Sequence, residues 1–354
     1  MPILFAFLLA VFFIGKGGGD KYYILNTFIL PLVVFKKRIH YIPIVIFNIL
    51  CFLLIVYFQD EISPYFTFPA ENYQYYFLLT TILIFLFSYL IISLFKKEIF
   101  SFQKTVYNQR KALENKNIEI VDSLIYAKGI QEAILPSQLY LKTLFENGFI
   151  LYLPKDIVAG DFYWIEKNND NIYFAAADCT GHGVPGAMVS LVCEKALDQS
   201  LREHHLSNTN DILEKTSELV SATFSKSERE IKDGMDISIC NLNLTNNLLQ
   251  YSGANNPLWV ISCRENLTTE SVCKSLEIDG LYLHEIKATK RSVGNSYNKE
   301  LFTLHTIQLY KGDRVILLTD GYPDQFGGER GKKFKYLPLK KLVLQTNFSD
   351  LKSV

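Results

Sequence analysis

Four segments between residues 160 and 321 place an aspartate beside a glycine at the end of an apolar, strand-like run. They are Gly160-Asp161, Asp178-Cys179-Thr180-Gly181, Asp233-Gly234-Met235-Asp236 and Asp320-Gly321. A strand would hold such a carboxylate rigidly toward an open cleft, and the glycine lets the backbone turn tightly beside a ligand. Asp-Gly pairs are also common in ordinary turns, so a turn is an equal alternative for any one of these aspartates.

Carboxylates gathered at one site repel one another unless cations neutralise them. Magnesium and manganese ions prefer oxygen ligands of this kind. The four segments together therefore predict a divalent metal centre.

Composition and cysteine spacing exclude several other classes of protein. The 36 basic and 36 acidic residues give a formal net charge of +0, which argues against a dedicated nucleic-acid binder because such proteins normally have a basic face. No Cys-x-x-Cys pair occurs among the six cysteines, so neither a zinc ribbon nor a thioredoxin-type site is indicated. We expect free, buried or semi-buried thiols in a reducing compartment.

Six motifs follow one another along the chain. They are a helical segment at residues 127–136 and the patterns G-D-F-Y, A-D-x-T-G-H-G-x-P-G-A, D-G-M-D, G-A-N-N-P and T-D-G-Y-x-D-Q-F-G-G. In type and order they resemble the SpoIIE/RsbU-like branch of the PPM phosphatases, the family named for protein phosphatase 2C. The resemblance implies an α+β fold, a four-layer α/β/β/α sandwich, and hydrolysis of phosphoserine or phosphothreonine by a metal-activated water.

The resemblance also assigns roles to the aspartates. Asp178 would bridge two divalent cations, Mn²⁺ or Mg²⁺, which lower the pKa of a water and neutralise phosphoryl oxygens. Asp161 would serve one cation, directly or through water, with the backbone carbonyl of Cys179 assisting. Asp320 would serve the other cation.

Several polar residues lie near these aspartates in the sequence and have expected roles of their own. His182 would either donate a proton to the leaving serine oxygen or, as we favour, orient its glycine-flanked loop through a hydrogen bond. Asp233 is expected to fix the backbone near the site. Asp324 is expected in a solvated loop, with a substrate contact as the alternative, and Asn255 in a structural turn.

The resemblance implies a phosphoprotein substrate, such as an anti-anti-sigma-like regulator of bacterial signal transduction. The family's last strand region, which carries an Asp-Asp pair, has no counterpart after Phe334, so we expect a C-terminally incomplete phosphatase domain. The alternative is a catalytically impaired domain that binds a phosphoprotein. A nucleotide-binding enzyme is disfavoured because the glycine-rich segments at 15–19 and 327–331 lack the phosphate-cradling G-x-x-x-x-G-K-[ST] spacing.

The first hundred residues are rich in long apolar runs. Residues 41–58 and 75–95 approach the roughly 20 apolar residues needed to cross hydrocarbon, and residues 2–14 and 22–35 are shorter candidates. Basic residues flank these runs on one side, which predicts four spans in an inner membrane with everything after Lys96 in the cytoplasm. Buried core helices of a soluble domain are the alternative.

A helix is predicted over residues 100–134, which contain good helix formers and no proline. Apolar residues recur there every seven positions: Val106, Leu113, Ile120, Ala127 and Ile134. Asn117 and Gln131 interrupt the complementary seam, so the helix would either pair with a second copy of itself or pack singly on the catalytic domain. Pro136 ends it in either case.

These observations divide the chain into three parts. Residues 1–98 form the predicted transmembrane region, 99–135 the signalling helix, and 136–354 the phosphatase domain.

Overall fold

The structure, a computed structural model, describes residues 46, 49–50, 73–225, 233–267, 272–294, 298, 300–328 and 331–346. The chain divides into two compact units, Met1–Asn117 and Ile118–Val354. The predicted membrane runs at 2–14 and 22–35, and most of 41–58, lie outside the described residues, whereas 75–95 is helical. In the part of the chain that the structure describes, no helix is both long enough and apolar enough to span a membrane.

The helices have the following bounds: α1 Tyr73–Ile134, α2 Gln138–Leu144, α3 Gly183–Arg202, α4 Thr209–Phe224 and α5 Tyr336–Gln345. The predicted helix at 100–134 is confirmed, and it begins well before residue 100. It ends two residues before Pro136 because a proline disfavours the helical conformation of the residue that precedes it.

The strands have the following bounds: β1 Phe162–Asn168, β2 Asn171–Cys179, β3 Gly234–Asn243, β4 Leu248–Ala254, β5 Leu258–Ser262, β6 Val272–Ile278, β7 Leu281–Ile286, β8 Val293–Gly294, β9 His305–Gln308, β10 Arg314–Ile316, β11 Phe326–Gly327 and β12 Lys332–Lys333. The first sheet has the order β1-β2-β3-β4-β9, with β8 paired to β3. The second has the order β10-β5-β7-β6, and β11 and β12 form a separate hairpin.

Alternation along each strand divides its side chains between two layers of core. On β2, Tyr173, Ala175 and Ala177 pack against α3 and α4, whereas Phe174 faces the space between the two sheets. On β5, Leu258 and Val260 fill that same space. Removal of each large apolar side chain from water contributes about 1.5–3 kcal/mol to folding.

The outer face of the second sheet is covered by α5. Trp259, Ile261 and Leu283 pack there against Leu339 and Leu344 of that helix. The layers are therefore helices α3 and α4, the first sheet, the second sheet, and α5. This arrangement is the predicted α+β sandwich with helices on both outer faces.

The last turn of α1 packs on the sandwich through a buried polar side chain. The Gln131 amide donates to the Ala159 carbonyl at 2.7 Å and to Ser190 Oγ at 3.1 Å, and it accepts from the Ala159 amide at 3.1 Å. Gln131 is polar because these backbone groups would otherwise be buried without partners. At this end, α1 packs on the sandwich, which is the second of the two predicted arrangements.

Candidate active site

Strand pairing brings Asp161, Asp178 and Asp236 to one end of the first sheet. Phe162 at the start of β1 is opposite Ala177 near the end of β2, so Asp161 lies beside Asp178. Asp178 is in turn the register partner of Asp236 on β3. Asp178 shares its strand face with Phe174, so its carboxyl points toward the space between the sheets.

Asp161 does not follow a strand as the sequence predicted. Asp161 comes immediately before β1, and Asp233 immediately before β3. The prediction of a preceding strand was wrong because the apolar residues before Asp161 form a loop. Val158 and Ala159 in this loop are buried without belonging to a sheet.

The carboxyl of Asp178 lies among like charges in a partly buried position. Burial, followed by the neighbouring Asp161 and Asp320 and then Asp236, raises the pKa of Asp178 to about 8. Its carboxyl shares hydrogen bonds with Asp161 and with Asp320. Burial and the adjacent Asp324 raise the pKa of Asp320 as well. Because these carboxylates repel one another, binding of a cation or a proton among them is favourable.

Asp320 reaches the cluster from the second sheet. It follows β10 by a short connection, and the preceding Thr319 donates a hydrogen bond through Oγ1 to Asp161 Oδ2 at 2.7 Å. This bond joins the two sides of the site across 158 positions of sequence. Thr319 was not singled out from the sequence, although it lies directly before a predicted ligand.

Glycines allow the loop after β2 to pack closely against the Asp161 loop and the start of α3. A Cβ on Gly186 would lie 2.5 Å from the Gly181 carbonyl oxygen, and one on Gly160 would lie 2.7 Å from that oxygen and 3.2 Å from the Cys179 carbonyl oxygen. Contacts below 3.0 Å with backbone force the chain to move, so neither position accepts a larger residue. Gly160 therefore keeps the Cys179 carbonyl close to Asp161.

The Cys179 thiol points away from this site into the helix-facing core. A hydrogen bond with Cys193 and burial hold the pKa of the Cys179 thiol well above its usual range. A neutral, buried thiol is a poor nucleophile. Cys179, Cys193 and Cys240 are free and buried as expected, whereas Cys263 is free and exposed.

Asp233 and Thr180 fasten the end of β2 to the start of β3. Thr180 Oγ1 donates to Asp233 Oδ1 at 2.8 Å and accepts from the Gly234 amide at 3.2 Å. The Thr180 amide donates to the Gly234 carbonyl at 3.0 Å. Asp233 thus fixes local backbone, as the sequence predicted.

A second network supports Asp236, the last residue of the D-G-M-D motif. Ser292 Oγ donates to Asp236 Oδ1 at 2.6 Å, and the Asn255 amide donates to the same oxygen at 2.9 Å. Asn255 has a φ of 57°, a left-handed conformation that asparagine tolerates better than most residues. The predicted turn at Asn255 is therefore also a support for the site.

His182 contacts a residue outside the carboxylate cluster. Its Nδ1 lies 3.2 Å from Asp156 Oδ2, and its side chain is 86% exposed. The residue lies between Gly181 and Gly183, with φ values of 89° and 61°, which agrees with the predicted tight loop. Asp156 was not identified from the sequence, since it stands in no recognisable motif.

The donor set suits a hard divalent cation that keeps part of its water shell. Every candidate ligand is a carboxylate or carbonyl oxygen, which is what Mg²⁺ and Mn²⁺ prefer. In the described ranges, no group of three or more His, Cys, Asp or Glu side chains is placed to hold a metal ion. Water and the Cys179 carbonyl would therefore have to complete the coordination.

Comparisons with known proteins agree with this geometry. The model of the family described as stage II sporulation protein E (SpoIIE) matches residues 168–348, a range that includes Asp178 and Asp320. The phosphoserine phosphatase RsbU of Bacillus subtilis (strain 168) is 25% identical over 218 residues, which are 61% of this chain. The chain spans 57% of the length of that relative.

A solved structure also resembles this chain. It is the SiaA-PP2C domain of Pseudomonas aeruginosa, with 29% sequence identity and a TM-score of 0.54. The match covers 64% of this chain and 82% of that domain.

Proposed function

Since this chain belongs to the stage II sporulation protein E (SpoIIE) family of PPM-type serine/threonine phosphatases, we propose that it hydrolyses phosphoserine or phosphothreonine in a protein substrate. The observation that supports this most strongly is the convergence of Asp161, Asp178 and Asp320, which strand pairing and the Thr319–Asp161 hydrogen bond bring to one end of the first sheet. Such a cluster of oxygen ligands is suited to binding cations and a phosphoryl group.

We assign the ligands as follows. Asp178 would bridge two cations, Asp161 and the Cys179 carbonyl would hold one, and Asp320 would hold the other. Two bound Mn²⁺ or Mg²⁺ ions would supply a water of lowered pKa and neutralise phosphoryl charge. Thr319 orients Asp161 through its hydrogen bond.

For His182 we propose that the contact with Asp156 orients the loop between β2 and α3. The high exposure of the imidazole leaves it open to solvent and substrate. Proton donation to the leaving serine oxygen is the alternative role. A pH profile of kcat for H182Q separates the two, because loss of a proton donor removes the basic limb of the profile.

The substrate class is also a proposal. The relative that matches by sequence is named a phosphoserine phosphatase, so phosphoserine is our first choice. An anti-anti-sigma-like regulator of bacterial signal transduction is the partner that the family resemblance suggests.

Hydrolysis of para-nitrophenyl phosphate by the full chain with manganese tests the activity, with Asp178→Asn as the control. We expect manganese-dependent turnover that D178N abolishes. A folded protein without turnover would contradict the proposal.

A second candidate is a domain that binds a phosphoprotein without hydrolysing it. The lack of a ready-made three-side-chain metal site among the described residues favours this candidate. It predicts that a phosphopeptide binds and is recovered intact after incubation with manganese, a result that phosphate release would exclude.

We also propose that the chain is attached to an inner membrane, with the phosphatase domain in the cytoplasm. This proposal rests on the apolar runs at 41–58 and 75–95 and on the lysines at 96–97. Fractionation of cells that express the full chain tests it. Recovery in the soluble fraction would exclude membrane attachment.

Pairing with a second copy through α1 is our remaining proposal. The heptad positions Val106, Leu113 and Ile120 are 45%, 72% and 57% exposed, which leaves an apolar stripe on the helix. Sedimentation of the full chain and of L113E/I120E tests this pairing. A wild-type monomer would contradict it.

A further inference from the structure

The loop after Asp320 is tied to a hairpin that carries three lysines. This basic hairpin comprises residues 325–328 and 331–335, with Phe326 paired to Lys333 and Gly327 to Lys332. The Phe334 amide donates to the Gln325 carbonyl at 2.9 Å, and the Lys335 amide to the Pro323 carbonyl at 2.7 Å. The Gln325 amide side chain donates to the Gly321 carbonyl at 2.9 Å. The hairpin therefore holds a set position beside Asp320.

Aromatic packing reinforces this attachment. The rings of Tyr322 and Phe334 meet edge to face with centroids 5.6 Å apart. Tyr336, directly after the hairpin, packs edge to face on Trp259 at 6.3 Å. The hairpin is thus anchored both to the Asp320 loop and to the second sheet.

Lys333 places positive charge at the edge of the carboxylate cluster. Its ammonium lies 2.6 Å from Asp324 Oδ2, and both side chains are close to half exposed. Asp324 in turn donates its backbone amide to the Asp320 carbonyl at 2.9 Å. An exposed ion pair of this kind is weak, so an incoming anion can take the place of Asp324.

Lys332 and Lys335 extend the positive charge away from the cluster. Both are exposed, and neither has an ion-pair partner in the described ranges. Lys335 is also held at a φ of 72°, a left-handed conformation that is costly for a lysine. The whole chain has a formal net charge of +0, so this concentration of lysines beside the candidate site is not a consequence of a basic composition.

We propose that the basic hairpin is the docking element for substrate, and that it selects a phosphorylated segment whose neighbouring residues are acidic. Lys333 would contact the phosphoryl group at the cluster, and Lys332 and Lys335 would contact the flanking carboxylates. This assignment rests on the proposed phosphatase function, because it places the phosphorylated residue at the aspartates.

Binding tests this proposal without requiring turnover. The full chain carrying D178N, which prevents turnover of the peptide, would be titrated into a fluorescent twelve-residue peptide that has one phosphoserine among glutamates. Matched peptides would carry glutamines in place of glutamates, or serine in place of phosphoserine. We expect the phosphorylated acidic peptide to bind at least about tenfold more tightly than either at 50 mM salt, and this preference to shrink at 300 mM salt.

Substitutions in the same background locate the contact. We expect K333Q to weaken binding of the phosphorylated peptide about tenfold, and K332Q/K335Q to weaken it about fivefold only when the flanks are acidic. The control K311Q/K341Q removes two other exposed lysines and should leave the dissociation constant unchanged. All these residues are exposed, so thermal melting should confirm that each variant folds like the parent.

Two results would overturn the docking assignment. One is equal binding of acidic and glutamine-flanked phosphopeptides, and the other is equal weakening by K332Q/K335Q and K311Q/K341Q. Failure of the wild-type chain to hydrolyse para-nitrophenyl phosphate would instead count against the proposed activity alone, because peptide selection would persist.

Discussion

The Asp178 side of the candidate site and the Asp320 side differ in how the chain holds them. Asp178 lies in the nine-residue strand β2, which is paired with β3 along its whole length and with β1 as far as Ala177. Asp320 lies beyond the three-residue strand β10, in a turn. One side is held by sheet hydrogen bonds and by the core under α3 and α4, and the other by loop contacts.

This difference indicates that the Asp178 side and the Asp320 side have different roles in the candidate site. A carboxylate on a central strand keeps its position to within a fraction of an ångström, which a bridging ligand requires. A carboxylate on a loop can adjust its position. The basic hairpin, which we propose as the docking element for substrate, is attached to that same loop. We therefore expect substitution of Asp178 to abolish function and substitutions in the loop around Asp320, other than at Asp320 itself, to modulate it.

The largest effect is expected from Asp178→Asn. Loss of the shared carboxylate should lower turnover of para-nitrophenyl phosphate by about 10³-fold or more, which corresponds to about 4 kcal/mol of transition-state stabilisation. D178N should also lose most of the rise in melting temperature that manganese produces in the parent chain. A manganese-stabilised D178N protein would show that Asp178 is not a ligand.

Gly186→Ala tests how tightly the Asp178 side is packed. Its new methyl group would lie 2.5 Å from the Gly181 carbonyl oxygen, so we expect a loss of about 1–3 kcal/mol in unfolding free energy. Gly129→Ala is the matched control, because nothing lies within 4 Å of its Cβ position on the exposed face of α1. Urea unfolding should show G129A unchanged or stabilised by up to about 1 kcal/mol.

Thr319→Val breaks the bond that joins the two sides. The loss of a hydrogen bond to the Asp161 carboxylate should lower kcat/KM about tenfold, because bonds to charged groups contribute about 1.5–3 kcal/mol. Thr319→Ser keeps the hydroxyl and should restore most of the activity. If T319S is as impaired as T319V, the methyl group rather than the hydrogen bond is important.

The smallest effect is expected from Glu194→Gln in α3, behind the first sheet. Burial, followed by the negative charges of Asp198 and Glu166, raises the pKa of Glu194 to about 7, although the positive charge of Arg202 lowers it in part. A raised carboxyl pKa means that the folded state binds the proton more tightly than the unfolded state, so stability falls as pH rises from about 4.5 to 7.

E194Q should therefore stabilise the protein at pH 8 by about 1 kcal/mol, an amount reduced because the side chain is only partly buried. At pH 4.5 it should have little effect. Thermal melting at the two pH values, with the exposed Glu146→Gln as control, checks this. A pH-independent gain would show that packing, and not charge, is responsible.

Much of the sandwich and of the candidate site could be predicted from the amino-acid sequence. The apolar run before Asp178 predicts a strand, and β2 extends it by only a few residues. Pro136 predicts the end of α1, because proline constrains the residue before it. The ordered motifs predict the fold and the residues Asp161, Asp178 and Asp320, which the structure brings together at one end of the sandwich.

Other parts of the site depend on contacts between distant segments. Ser292 reaches Asp236 across 56 positions, and Thr319 reaches Asp161 across 158. No local pattern marks such pairs, because their partners meet only when the sheets pack. In the sequence, Gln131 interrupts an apolar heptad pattern without an evident reason. The structure supplies the reason, because its side chain donates hydrogen bonds to Ala159 and Ser190.

The sequence by itself determined the family, the identity of the clustered aspartates and the strand that leads to Asp178, because these depend on residue type and short-range periodicity. Only the tertiary structure decided that Asp161 precedes its strand, that Gly160 and Gly186 are required by backbone contacts, and that the lysines of the basic hairpin lie beside Asp320. Those features arise from the packing of segments that are far apart in the chain, and the spacing of residues along the sequence does not predict that packing.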